Sequence, residues 1–239
     1  MKLKIKSLKE INDQILSGKI KEYNMHDKIN IYEYCKYASA IKKTFNYNYH
    51  RNYVEKDYPM DCIFITGPSG VGKSVLSKKI AKNKGYSAYI SSISKDILDN
   101  YKGQECIILD NIRSYSIDLS DLIVILDNNA THSNIKSRCK HKLFSCELMI
   151  INTIKSIDDL FENENEKIYN RLKRRCKFHI KIDSKYITFK VWNPVKMKYD
   201  LIEKKPNNLL NEFQIKRLSE KEQKDKIKKV LKIDLDEDS

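Results

Sequence analysis

The sequence predicts an α/β fold: a parallel sheet flanked by helices, preceded by a small N-terminal helical segment and followed by a C-terminal β-hairpin plus helix. Three observations predict it. The octapeptide Gly67-Pro68-Ser69-Gly70-Val71-Gly72-Lys73-Ser74 holds three of the chain's six glycines and satisfies the phosphate-loop pattern G-x-x-x-x-G-K-[ST]. It stands directly behind the apolar run Cys62-Ile63-Phe64-Ile65-Thr66 and ahead of a helix-forming stretch, the setting that such a loop requires. From Asp61 onward, short apolar runs alternate with helical segments, which is the pattern of a parallel sheet.

At the N-terminus, Ser7-x-x-Glu10 forms a capping box for an amphipathic helix that runs to about Leu16 and stops at Gly18. A second helix is expected over 28–45, where Ile31, Tyr34, Cys35, Ala38 and Ile41 recur at helical spacing. Eight of the fifteen tyrosines fall between positions 23 and 58, which fits either helix packing or a base-stacking platform. The polar stretch 46–59 reads as an irregular linker, so 1–50 is a separate helical piece. Strands are predicted at 62–66, 86–90, 106–109, 148–151 and 178–182, with helices at about 73–84, 94–101 and 164–175. These elements make up a domain over 55–185. Beyond it, 185–191 and 195–201, joined through Trp192-Asn193-Pro194, read as an antiparallel hairpin. From about Pro206 a lysine-rich helix leads to the acidic end Asp234-Leu235-Asp236-Glu237-Asp238, which completes a third piece, 186–239.

Composition narrows the class. A chain of 239 residues with 41% hydrophobic and 33% charged residues can bury one good core and a small flanking unit. No apolar run reaches the roughly 18–20 residues that cross a bilayer. The start, MKLKIKSLKE, lacks the apolar stretch of a signal peptide. The six cysteines are scattered with no C-x-x-C, which suits reduced, buried thiols. A cytoplasmic protein without a membrane partner is the expectation. The net charge of +14 fits a polyanion such as nucleic acid, although abundant Lys, Asn and Ile also suit an AT-rich genome.

Four elements carry chemistry. In the loop, Gly67, Pro68, Ser69, Gly70, Val71 and Gly72 present backbone amides to phosphates, Lys73 reaches the β- and γ-phosphates, and the Ser74 hydroxyl is a natural Mg²⁺ ligand. Cys106-Ile107-Ile108-Leu109-Asp110 is an apolar strand ending in aspartate, the Walker-B arrangement, so Asp110 is the second metal-holding residue. The next position, commonly an acid in efficient ATPases, is Asn111; an amide orients water but takes no proton, which puts turnover in doubt. Leu148-Met149-Ile150-Ile151-Asn152-Thr153 ends in an amide expected to stand between the two Walker elements as a γ-phosphate sensor. Arg174 and Arg175, just before the last core strand, suit either an arginine finger or a basic helix end that complements the helix dipole. The set predicts a P-loop NTPase sheet of the AAA+-like kind with ATP and Mg²⁺ as cofactors.

Loop, Walker-B strand, Asn152 and Arg174-Arg175, in this order, resemble the superfamily 3 helicase domain of viral and plasmid replication-initiator (Rep) proteins. The resemblance is strongest to the helicase half of rolling-circle Rep proteins from Gram-positive plasmids, over about 55–185. Ser133-Asn134-Ile135-Lys136-Ser137-Arg138-Cys139-Lys140-His141-Lys142 looks like the family's B′ region, a basic hairpin loop facing the channel. The resemblance implies that Lys136, Arg138, Lys140 and Lys142 contact a single-stranded DNA backbone, with RNA as an alternative. It also implies a homo-oligomeric ring, a hexamer, with 1–50 as oligomerisation segment and Arg174 or Arg175 completing the site of a neighbour. Such initiators carry a nicking domain with a His-hydrophobic-His motif. The five histidines at 26, 50, 132, 141 and 179 never fall two apart, so the expectation is a separate helicase subunit or the remnant of a longer initiator.

The expected function is therefore an ATP-dependent helicase or translocase on single-stranded nucleic acid in plasmid or mobile-element replication. Its expected catalytic residues are Lys73, Asp110, Asn111, Asn152, Arg174 and Arg175. A non-hydrolysing or slow ATP-binding regulatory module, a viral-type RNA helicase and a small-molecule P-loop kinase remain open alternatives.

Overall fold

The computed structural model describes residues 6–54, 60–91, 97–113, 117–126, 145–160 and 166–209, and single positions 222, 225 and 229 of the tail. The first helix, α1 (Leu8–Leu16), starts at the expected box: Ser7 Oγ accepts from Glu10 N at 3.2 Å and Glu10 Oε2 accepts from Ser7 N at 2.7 Å. After a 3-10 turn (Glu22–Asn24) and the single turn α2 (Met25–Lys28), a second box of Asn30 and Glu33 opens α3 (Ile31–Tyr49). Asn30 caps the helix, so α3 starts three residues later than the apolar spacing suggested. Ile11, Ile15, Ile20, Met25, Ile29 and Ile41 close into a small core of their own.

The linker expected at 46–59 is corrected over 46–54, and 55–59 lie outside the described residues. The helix runs to Tyr49 and continues as a π turn over His50–Val54. Asparagine-rich helix ends are weak by propensity, and tertiary bonds override that weakness here. Asn48 Nδ2 donates to Ile15 O of α1 at 3.0 Å, and Asn52 Nδ2 donates to Asn48 Oδ1 at 2.8 Å. The tyrosines divide: Tyr34 and Tyr37 pack on the small core, whereas Tyr32 and Tyr47 face solvent. A Lys21–Glu105 ion pair, with the Tyr23 hydroxyl on the same carboxylate, fastens this helical unit to the foot of the sheet.

One seven-stranded sheet follows, made of β1 (Asp61–Thr66), β2 (Ala88–Ser91), β3 (Cys106–Leu109), β4 (Leu148–Thr153), β5 (Phe178–Ile182), β6 (Tyr186–Asn193) and β7 (Lys198–Pro206). Its order is β2-β3-β4-β1-β5-β6-β7; the first five strands are parallel and the last two antiparallel. Cys106 to Leu109 and Leu148 to Thr153 are buried throughout, as central strands covered on both faces must be. One face packs under α5 (Leu119–Ile125), α6 (Ile157–Leu160) and α7 (Glu166–Arg175), the other under α4 (Lys73–Asn83).

Three readings change at this level. Within the helix expected at 94–101, Ile97 to Asn100 form turns, with Ile97, Leu98 and Tyr101 buried, while 94–96 lie outside the described residues. The run Leu119–Ile125 is helical, unread in the sequence because its apolar residues leave no clear polar face. The hairpin turn sits at 194–197, not at Trp192-Asn193-Pro194. Asn193 Oδ1 accepts from Val195 N and Lys196 N at 3.0 and 3.1 Å, and this Asx turn starts the reversal at Pro194, two residues later than expected. Trp192 stays in the strand, buried, with its ring edge-on to Tyr199 at 5.2 Å. The hairpin hydrogen-bonds to β5 and so extends the core sheet. That placement brings the chain beyond β7 back to the phosphate loop.

Candidate nucleotide site

The loop leaves β1 at Thr66 and enters α4 at Lys73. At Gly67 a Cβ would stand 2.0 Å from Ile182 O of β5, so only glycine passes this close approach. Gly72 holds φ +99°, a left-handed conformation from which α4 begins. Pro68, Ser69 and Gly70 are exposed, and Val71 is buried. The Lys73 ammonium lies over the loop and donates to Gly67 O and Pro68 O, both at 2.7 Å. Desolvation lowers its pKa, and the nearby Asp110 opposes that shift.

Strand order assembles the rest. Because β4 lies between β1 and β3, Asn152 stands between the loop and Asp110. Ser74 Oγ donates to the Asp110 carboxylate at 2.9 and 3.0 Å, and Asn152 Nδ2 donates to Asp110 Oδ1 at 2.9 Å. Asn152 Oδ1 in turn faces the Ser77 hydroxyl at 2.9 Å, and both Ser77 and Asn152 are fully buried. The amide therefore has a fixed orientation, donor toward Asp110 and acceptor toward Ser77. Hydroxyl beside carboxylate is a hard-oxygen donor set that suits Mg²⁺. Asn111 is exposed at φ +57°, a conformation that Asn and Asp tolerate better than most residues.

The arginines lie elsewhere. Phe178 of β5 pairs with Ile63 of β1, so the C-terminus of α7, carrying Arg174 and Arg175, is at the end of the sheet where the parallel strands begin. Three residues of strand, about 10 Å, separate that level from Thr66. Arg174 and Arg175 are therefore set back along the sheet from the level of the loop. Tyr199 Oη donates to Cys176 O at 2.7 Å and closes this helix end. Lys136, Arg138, Lys140 and Lys142 lie outside the described residues.

Sequence reasoning missed Ser77, His179, Asn207 and Leu209. Ser77 carried a signal, since it follows Ser74 by three positions and shares its helix face. The other three carried none, because their partners are remote in sequence. Thr66 Oγ1 lies 3.0 Å from His179 Nε2 of β5, directly before the loop. Burial, then Lys190 and Lys181, lower the His179 pKa from 6.5 to about 4, with Asp158 opposing and Lys173 adding to the shift. The folded state thus resists protonation that the unfolded chain accepts near pH 6.5. Stability should be complete above pH 6.5 and fall by about 3 kcal/mol as pH drops toward 4. Urea unfolding at several pH values should show that slope in the wild type and a flatter one in His179→Gln. Equal slopes would assign the acid sensitivity to other groups.

Sheet order and site together define an α/β P-loop NTPase fold. Residues 63–155, from β1 through β4, match a family model described as RNA helicase. The chain is 61% identical over 234 residues to a replication protein of Onion yellows phytoplasma (strain OY-M), a match covering 97% of the chain and 61% of that protein. The chain thus spans about three fifths of the length of this relative. The family match takes in the loop, Asp110 and Asn152, and stops short of α7 and the hairpin. Among the described residues, no helix is long and apolar enough to cross a membrane.

Proposed function

We propose that this chain is an ATP-dependent, superfamily 3-type helicase or translocase that acts on single-stranded nucleic acid during replication of a plasmid or mobile element. The observation that carries it is the hydrogen-bonded set Ser74, Asp110 and Asn152 beside the Lys73 loop, drawn from the start of α4 and the ends of β3 and β4, which the sequence separates widely. The helicase-family match over 63–155 and the likeness to a replication protein support the reading. Lys73 binds the phosphates and withdraws from the Gly67 and Pro68 carbonyls to do so. Ser74 and Asp110 would hold Mg²⁺, which when bound screens phosphate charge. Asn152 reports on the γ-phosphate through its fixed amide. Arg174 and Arg175, at the end of the sheet where the parallel strands begin, act on a neighbour in a homo-oligomeric ring, a hexamer. Lys136, Arg138, Lys140 and Lys142 contact the nucleic-acid backbone without sequence preference. ATP turnover with and without single-stranded DNA or RNA tests the proposal. Stimulation by either supports it and identifies the preferred strand; turnover that ignores both would overturn it.

A second reading, a slow or non-hydrolysing ATP-binding module, is favoured by Asn111, which supplies no base. Asn111→Asp preserves the left-handed backbone and adds a carboxylate. It should raise turnover at least about a hundredfold, the lower end of the range for a general base. A wild type already brisk, with no gain in the variant, would locate the base elsewhere.

A further inference from the structure

Beyond β7 the chain turns back onto the phosphate loop. Asn207 is buried, and its side-chain amide makes three hydrogen bonds. Nδ2 donates to Val71 O at 3.1 Å and to Asp183 O at 2.7 Å, while Oδ1 accepts from Leu209 N at 3.1 Å. Its backbone N–H donates to Lys185 O at 2.8 Å. Leu209, also buried, lies against Gly72, where an added Cβ would meet Leu209 Cβ at 3.1 Å.

These contacts fall on the weakest part of the loop. Val71 sits between Gly70 at φ +79° and Gly72 at φ +99°, and glycine flanks leave a peptide free to rotate. In a trans peptide the C=O and the following N–H point in opposite directions. Asn207 fixes the direction of Val71 O, and with it the opposite direction of the Gly72 N–H. Amides of such a loop are what an anionic phosphate binds. Leu209 against Gly72 obstructs rotation of the same peptide.

We propose that Asn207 and Leu209 form a clasp that sets the phosphate loop in its anion-binding conformation, so that triphosphate affinity depends on a segment outside the family-matched region. Both are positioning residues. The inference rests on the reading of the loop as a triphosphate site. Because linkage is reciprocal, bound triphosphate must tighten the clasp in return.

The test uses the full chain and Mg-ATP. Asn207→Asp keeps the volume but turns both donations into repulsion against carbonyls, and it should weaken Mg-ATP binding at least about tenfold, a loss of two ordinary hydrogen bonds. Inorganic triphosphate should lose affinity by the same factor, because the clasp acts on the phosphate contact. In the unaltered wild type, saturating Mg-ATP should slow hydrogen exchange at the Asn207 and Leu209 amides, a readout that needs no variant to fold. Affinity within twofold of wild type in Asn207→Asp, or unchanged exchange at both amides, would overturn the clasp. A wild type that binds no triphosphate would overturn the nucleotide reading and the clasp with it, and that failure is seen on the wild type alone.

Discussion

Lys73→Ala should reduce ATP affinity at least about a hundredfold and remove measurable turnover. In the folded chain the ammonium donates to Gly67 O and Pro68 O, two bonds to neutral carbonyls that anionic phosphate oxygens would replace with ion-paired ones. Hydrogen bonds to charged groups contribute about 1.5–3 kcal/mol each, and every 1.4 kcal/mol is tenfold in affinity. Loss of one such bond together with the charge it carries therefore exceeds tenfold and approaches a thousandfold for two. The fold should survive. Lys73 is only partly buried, the substitution removes no core volume, and alanine is the best helix former at the start of α4. Calorimetric titration with Mg-ATP, alongside a thermal unfolding scan, checks both halves. Affinity within threefold of wild type would sink the nucleotide-site assignment.

Asp110→Asn should separate nucleotide binding from metal-dependent chemistry. The carboxylate accepts from Ser74 Oγ and from Asn152 Nδ2. An amide oxygen at the same place can keep both bonds, so the local geometry should persist. What disappears is the charge. A neutral amide is a far weaker partner for a hard divalent cation than a carboxylate. Affinity for ATP in the absence of Mg²⁺ should hold within a few fold, the strengthening by Mg²⁺ should vanish, and turnover should fall at least about a hundredfold, as when one strong electrostatic contact to a transition state is removed. Lys73 should respond as well: without Asp110 to oppose desolvation, its pKa should drop further. Binding measured with and without Mg²⁺ checks the separation. A variant that keeps Mg²⁺-dependent turnover would remove Asp110 from the metal site.

The parts of this molecule legible in the sequence are those that neighbouring residues decide. The Ser7–Glu10 box, the 106–109 and 178–182 strands and the octapeptide loop each depend on residues within a few positions of one another. The helix expected at about 164–175 was legible too, and its basic end, Arg174 and Arg175, is the last turn of α7. Where reading failed, a remote partner had changed the local balance. Asn48 and Asn52 prolong a helix that their propensity would end. Asn193 draws two turn amides to itself and moves the hairpin reversal to 194–197.

By itself, the sequence determined that this chain has a phosphate loop between strand and helix, an aspartate and an amide at the ends of two later strands, and a strongly basic surface. Only the tertiary structure decided which of these meet. Insertion of β4 between β1 and β3 puts Asn152 against Asp110. The parallel β1–β5 register sends Arg174 and Arg175 to the far end of the sheet. Addition of β6 and β7 at the edge returns Asn207 and Leu209 to Val71 and Gly72. The physical reason is range. Turn, cap and periodicity signals are settled within about one helical turn of chain, whereas strand order and register are fixed by the burial of whole faces and by hydrogen bonds across more than a hundred residues, as between Asn207 and Val71.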